Sequence, residues 1–201
     1  MALSLSGTTG IVSGNIASDA VTTSQILNAN VTPAKLSQPM TLGTAKAYNW
    51  NGLTTNTSLD FTGIPSWAKR VTLMFNGLRT SGTSAPRIRL GTSSGFVPSG
   101  YLGSCFGANN AGFSNVAFSL GFDINDGATA AATRFGTFTF SCIDTNNNWI
   151  LIGSQAQGNA PNTSLINGTV PLGGTLTQIR ITTANGSDTF DAGSINIIYE
   201  G

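Results

Sequence analysis

The chain has no histidine. This excludes a Ser-His-Asp triad and a Cys-His nucleophilic pair, both of which need an imidazole to take a proton near neutrality. Cys105 and Cys142 are the only thiols, too few without an imidazole for a structural zinc or a copper site. No metal and no cofactor is therefore expected. Glutamate occurs once, as Glu200. Glycoside hydrolysis needs two carboxylates, and the sequence-near pairs are Asp123/Asp126 and Asp188/Asp191. Asp126 and Asp188 stand beside glycine-containing turn signals, where Asp serves backbone geometry. The expectation is no enzyme.

Charge is also scarce. Charged residues make up 8% of the chain, against about 25% in ordinary soluble domains. Formal net charge is +1, and Lys69-Arg70 and Arg87-x-Arg89 are the only basic clusters. That excludes the concentrated basic face that nucleic-acid binding requires. No apolar run approaches the ~18 residues of a spanning helix, so no membrane insertion is expected. The N-terminus, Met1-Ala-Leu-Ser-Leu-Ser before Gly7, lacks a basic signal-peptide region, which predicts synthesis in the cytoplasm. Two buried thiols suit that compartment, although spacing leaves open whether Cys105 and Cys142 are bonded.

What is abundant is Gly, Ser, Thr and Asn, with eleven Phe and 40% apolar residues. That apolar content is enough to build a core, so the chain is not read as disordered. Residues 1–40 repeat at ten-residue spacing. Ile16, Ile26 and Leu36 mark one phase; Val21 and Val31, each followed by threonine, mark the other. Thr22 with Gln25 has capping-box spacing, and Thr32-Pro33 places proline at a first helical position. Single helical turns are unstable alone. Ile16, Val21, Ile26, Val31 and Leu36 are therefore expected to pack against partner chains, making 1–40 an extended attachment and oligomerisation stalk.

From residue 41 onward the pattern is one of strands, expected at 42–49, 57–62, 69–76, 86–91, 115–124, 134–143, 148–154, 175–183 and 193–200. Val71, Leu73 and Phe75 alternate with polar neighbours, as do Phe118, Leu120 and Phe122. Phe135 slips by one against Phe138 and Phe140, which predicts a bulge near Gly136. Asn76-Gly77, Asp126-Gly127, Asn167-Gly168 and Asn185-Gly186 read as turns. The fold class is all-β: a jelly-roll-like β-sandwich head over 41–201, preceded by the repeat-containing stalk.

Two stretches, 91–112 and 154–168, read as long loops on this frame. Loops carry binding, and amides with an occasional ring suit sugar hydroxyls. Candidate receptor-binding residues are Tyr101, Phe106, Asn109, Asn110, Trp149, Gln155, Asn159 and Asn162. Trp67 reads as a structural plug, and Tyr48 with Trp50 as packing near the stalk junction. D-I-N-D-G at 123–127 fails as a calcium loop, because its last ligand position falls on Arg134.

The V-T-T-x-x-I and V-T-P-A-K-L repeats resemble those of bacteriophage tail-fibre proteins. F-T-G-I-P-S-W-A-K-R-V-T-L-M-F-N-G at 61–77, P-R-I-R-L-G at 86–91 and D-A-G-S-I-N-I-I-Y-E-G at 191–201 resemble domains at the ends of such fibres. The resemblance implies a virion structural protein assembled in the host cytoplasm. It implies a homotrimer held to other virion proteins through its N-terminal segment, whose β head adheres to a bacterial surface glycan or protein. A head fibre or capsid decoration protein, and a stand-alone lectin-like carbohydrate-binding module, are the alternatives.

Overall fold

The computed structural model describes residues 41–43, 46–48, 56–124, 132–159 and 161–201. The expected stalk, with Ile16, Val21, Ile26, Val31 and Leu36, lies outside the described residues, as do Trp50 and the Asp126-Gly127 turn. The described residues belong to one unit, Met40–Gly201, and are all-β.

In chain order the strands are β1 (Thr41–Leu42), β2 (Lys46–Tyr48), β3 (Ser58–Thr62), β4 (Arg70–Thr80), β5 (Pro86–Thr92), β6 (Gly95–Phe96) and β7 (Leu102–Asn109). They continue with β8 (Gly112–Ala117), β9 (Phe122–Asp123), β10 (Arg134–Cys142), β11 (Asn148–Gln157), β12 (Asn162–Pro171), β13 (Gln178–Thr183) and β14 (Phe190–Glu200). Nine form a sheet in the order β1-β14-β4-β10-β11-β12-β7-β8, with β2 also on β14. Five form a second sheet, β3-β13-β5-β6, with β9 on β5. Every pairing is antiparallel.

One apolar cluster takes the inward side chains of both sheets. Val71, Leu73, Phe75, Phe138, Phe140, Leu151, Ile166, Ile195 and Ile197 enter it from the nine-stranded sheet; Leu59, Phe61, Ile88, Leu90, Ile179 and Ile181 enter from the other. The period-two alternation of β4 is as expected, with Val71, Leu73 and Phe75 inside and Thr72 and Met74 between them. At one end the inner face turns polar: Arg134, Gln155, Gln157, Asn162 and Ser164 are all buried on neighbouring strands.

Several expectations are corrected. Residues 102–109 and 162–171 are strands, so neither 91–112 nor 154–168 is a long loop. Cross-strand pairing of β7 with β12 overrides their Gly- and Asn-rich composition. Over 115–124 the chain pairs only to Ala117 and turns before β9. Phe118 and Phe122 are buried while Leu120 is exposed. Asn167-Gly168 lies inside β12 and Asn76-Gly77 inside β4. Asn185-Gly186 does turn, with Gly186 at φ 68° and its N–H donating to the Thr183 carbonyl. No disulfide joins Cys105, which is buried, to Cys142, which is half-buried.

Three irregularities gather at one place in the nine-stranded sheet. β10 shifts register against β4 between Arg134 and Phe135, and β14 shifts twice against β4, between Phe190 and Ala192 and between Ala192 and Ser194. Gly193 and Gly77 sit where these meet, both at positive φ. A Cβ on Gly193 would fall 2.5 Å from the Gly77 backbone, so only glycine allows this approach. Bulges bend their strands and locally raise the twist.

Candidate binding trough on the outer sheet face

Beside those bulges the outer face of the nine-stranded sheet holds a depression of about 620 Å³. Strand alternation explains its construction. Inward residues Phe75, Gly136, Gln155 and Ile195 line its floor, while outward Met74, Asn76, Phe135, Thr137, Ser154, Thr163, Ser194 and Asn196 form its walls. The register places these side chains in two rows running across the strands. One row is Asn196–Met74–Thr137–Ser154–Leu165–Phe106. The next is Ser194–Asn76–Phe135–Ala156–Thr163–Ala108–Phe113. Both rows begin at amides and hydroxyls; the first turns apolar at Leu165 and Phe106 and meets Asn115 on β8, and the second ends in Ala108 and Phe113. Phe135 stands 42% exposed at the trough.

No residue lining the trough is acidic, basic or a thiol. It therefore presents no carboxylate, amine, guanidinium or thiol to a ligand. It offers amide and hydroxyl hydrogen-bonding groups and one aromatic ring, a set that fits a neutral, hydroxyl-rich ligand.

The charged groups are elsewhere and are engaged in holding the fold. Arg87 makes a two-pronged pair with Asp123, its Nη2 at 2.8 Å from Oδ2. Arg180 pairs with Asp60 at 2.7 Å through both prongs, and Arg79 with Asp191 at 2.8 and 3.0 Å. The carboxylates raise the pKa values of Arg87 and Arg180 through these bonds. Asp188 accepts from the Ser84 amide and the Asn185 side chain, and Asp144 accepts from the Asn146 and Asn148 amides and from Asn148 Nδ2. Among the described residues no cluster of three metal-ligating side chains occurs.

The sequence-predicted candidates divide sharply. Tyr101 is fully buried; its hydroxyl accepts from the Leu90 amide at 3.0 Å and donates to the Val97 carbonyl at 3.2 Å. Burial pushes its phenol up to about 12. Trp149 is 1% exposed, in the apolar core. Neither side chain can meet a receptor: β11 places Trp149 on the inner face, and Tyr101, just before β7, is held in the core by its Leu90 and Val97 bonds. Gln155 and Asn162 point inward too, into the polar end of the core, although the Gln155 position lines the trough. Asn109, Asn110 and Asn159 are exposed at the same end of the sheet, around the β7–β8 and β11–β12 turns. There Asn109 accepts from the Ala111 amide within its own turn, and Asn159 accepts from the amide of Thr133, just before β10. Phe106 is on the outer face, stacked on Phe113 with centroids 5.6 Å apart. Trp67 packs against Tyr199 at 5.8 Å, half-buried at the core margin.

Asn76, Phe135, Thr137, Ser194 and Asn196 were not among those candidates. They come together from three strands far apart in sequence, and the local signal for them was slight: the Phe135 slip and the Asn76-Gly77 pair.

Searches against family models, curated proteins and solved structures find no match to this chain.

Proposed function

We propose that this chain is an adhesive virion appendage of the bacteriophage tail-fibre type. Its head, jelly-roll-like, binds a neutral bacterial surface glycan in the outer-face trough without turning it over. Its first forty residues form the stalk that holds three copies together and joins them to other virion proteins. The observation that carries the binding reading is the uncharged trough walled by Asn76, Asn196, Thr137, Ser154 and Phe135. Amides and hydroxyls in a fixed frame satisfy sugar hydroxyls, and the ring covers an apolar sugar face. The stalk reading is supported by the ten-residue repeat and by the resemblance of the repeats to tail-fibre sequences. Joining three weak sites would raise avidity by roughly 10²–10⁴-fold without a new contact.

The test is retention of the full-length chain on immobilised neutral and acidic bacterial polysaccharides, with native mass measured in parallel. Retention on a neutral polysaccharide that drops at least tenfold in Phe135→Ala and Asn76→Ala, by a chain of trimeric mass, is the expected result. Retention indifferent to both substitutions would remove the trough from the account.

A further inference from the structure

Asn-Gly occurs four times in the chain, at 51–52, 76–77, 167–168 and 185–186. The pair permits one reaction without an enzyme. The glycine amide nitrogen attacks the asparagine Cγ and a C–N bond closes a five-membered imide. The Cγ–Nδ2 bond breaks, and ammonia leaves with the amide proton. Water then opens the imide at either carbonyl, giving Asp or isoaspartate. Glycine offers no Cβ to obstruct the closure. Asn51-Gly52 lies outside the described residues. The other three pairs meet different surroundings.

In the 185–186 turn both reacting groups are held. The Gly186 N–H donates to the Thr183 carbonyl at 3.0 Å. Asn185 Oδ1 accepts from the Ser187 and Asp188 amides and from the Thr183 hydroxyl, and its Nδ2 donates to Asp188 at 2.8 Å. In β12, Gly168 is matched to Leu151 on one side and Gly103 on the other, which places its amide in a two-sided ladder. A Cβ on Gly168 would fall 2.7 Å from the Leu102 carbonyl oxygen, so the backbone there has little room to turn. Asn76-Gly77 is different. Asn76 is exposed on the trough wall. Among the described residues, nothing bonds its side-chain amide. Gly77 is matched to no residue in the register of β10 or of β14. Its φ of 69° lies outside the range of an extended strand.

We infer that Asn76 is where this folded chain modifies itself, by imide closure on the Gly77 nitrogen, ahead of Asn167 and Asn185. The product places a carboxylate on a trough whose lining carries none. The isoaspartate form also adds one methylene to the β4 backbone, at a bulge that already holds an extra residue. This reaction belongs to the chain's own chemistry, whatever ligand the trough takes.

The test is incubation of the full-length chain in mildly alkaline buffer made with heavy-oxygen water, followed by digestion in ordinary water and peptide mapping by mass spectrometry. Base speeds the attack by deprotonating the glycine amide, and the label marks product formed during the incubation. Labelled Asp and isoaspartate should accumulate at Asn76 at least roughly tenfold faster than at Asn167 or Asn185, whose neighbouring amides must first be released by local opening. The same incubation in denaturant should bring the three rates together, because the ranking comes from the fold. A native rate at Asn76 no faster than at either of the other two would overturn the inference. So would a ranking that persists in denaturant.

Discussion

The two ends of the nine-stranded sheet share one hydrogen-bonding scheme and differ in charge. On β4 and β14, Arg79 is clamped to Asp191, and Arg70 reaches Glu200 at 4.0 Å. The second sheet is stitched in the same manner by Arg87–Asp123 and Arg180–Asp60. Beyond β10 no strand of the large sheet carries a charge, and its outer face shows Ile152, Leu165, Phe106 and Phe113 to solvent. The difference teaches how each half is held. Part-buried two-pronged ion pairs stitch one half. The other is held by strand pairing and apolar packing without them, and the trough lies on the boundary between the two.

The comparison can be tested first within β10, where inner and outer positions alternate. Phe138 is fully buried, so Phe138→Ala should lower unfolding free energy by about 3–5 kcal/mol. Phe135→Ala, on the outer face, should change it by less than about 0.5 kcal/mol. Denaturant midpoints for the two variants decide this, and equal losses would mean the outer face is load-carrying.

Next is the charged half. Asp123→Ala leaves the mostly buried Arg87 guanidinium without its two-pronged acceptor. The expected cost is about 1.5–3 kcal/mol, whereas Ile152→Thr in the charge-free half should cost less than about 0.5 kcal/mol. A larger loss at Ile152 would reverse the assignment of roles.

Tyr101→Phe should cost about 1–3 kcal/mol, because it strips the Leu90 amide of its buried acceptor. The phenol also makes a pH prediction. Its folded pKa is about 12 against an ordinary 10.0. The unfolded phenol ionises first as pH rises past its ordinary value, so the Tyr101 contribution is complete below that value and is lost through the window up to about 12. Stability measured across this window should fall less steeply in Tyr101→Phe than in the native chain.

The smallest effect is at Asp144. Its pKa is lowered chiefly by the Asn148 side-chain bond and further by the Asn148 and Asn146 amides. A depressed carboxylate contributes above its ordinary pKa and loses that contribution as pH falls through the folded value. Asn148→Ala should therefore remove a slight acid-side weakening of the 144–148 turn, read from the exchange of the Asn146 amide. Unchanged acid behaviour would detach the turn from Asp144.

Much of the frame was legible from residues alone, because alternation is local. Val71-Thr72-Leu73-Met74-Phe75 announces its two faces. The slip between Phe135 and Phe138 does not mark a bulge at Gly136: β10 alternates without a break and Phe135 takes an outward position, while the extra residue at the register shift is Gly77 of β4. β7 and β12 were illegible because L-G-S-C-F-G-A-N and N-T-S-L-I-N-G-T-V-P have the composition of loops. What makes them strands is their pairing with each other, between residues roughly sixty apart, with β11 beside β12 and β8 beside β7. The site was hidden for the same reason. Asn76, Phe135 and Asn196 share a trough only once β4, β10 and β14 are aligned with their bulges. Tyr101 and Trp149 looked like stacking rings beside loops; β11 turns Trp149 inward, and bonds to Leu90 and Val97 hold Tyr101 in the core.

The central claim is recognition of a neutral ligand by the uncharged trough, and its most direct measurement is the salt dependence of polysaccharide binding in the native chain and in Phe135→Ala. A trough without charge predicts an affinity unchanged between low and high salt and lost on removing the ring. Affinity that falls steeply with salt, or that persists in Phe135→Ala, would contradict it.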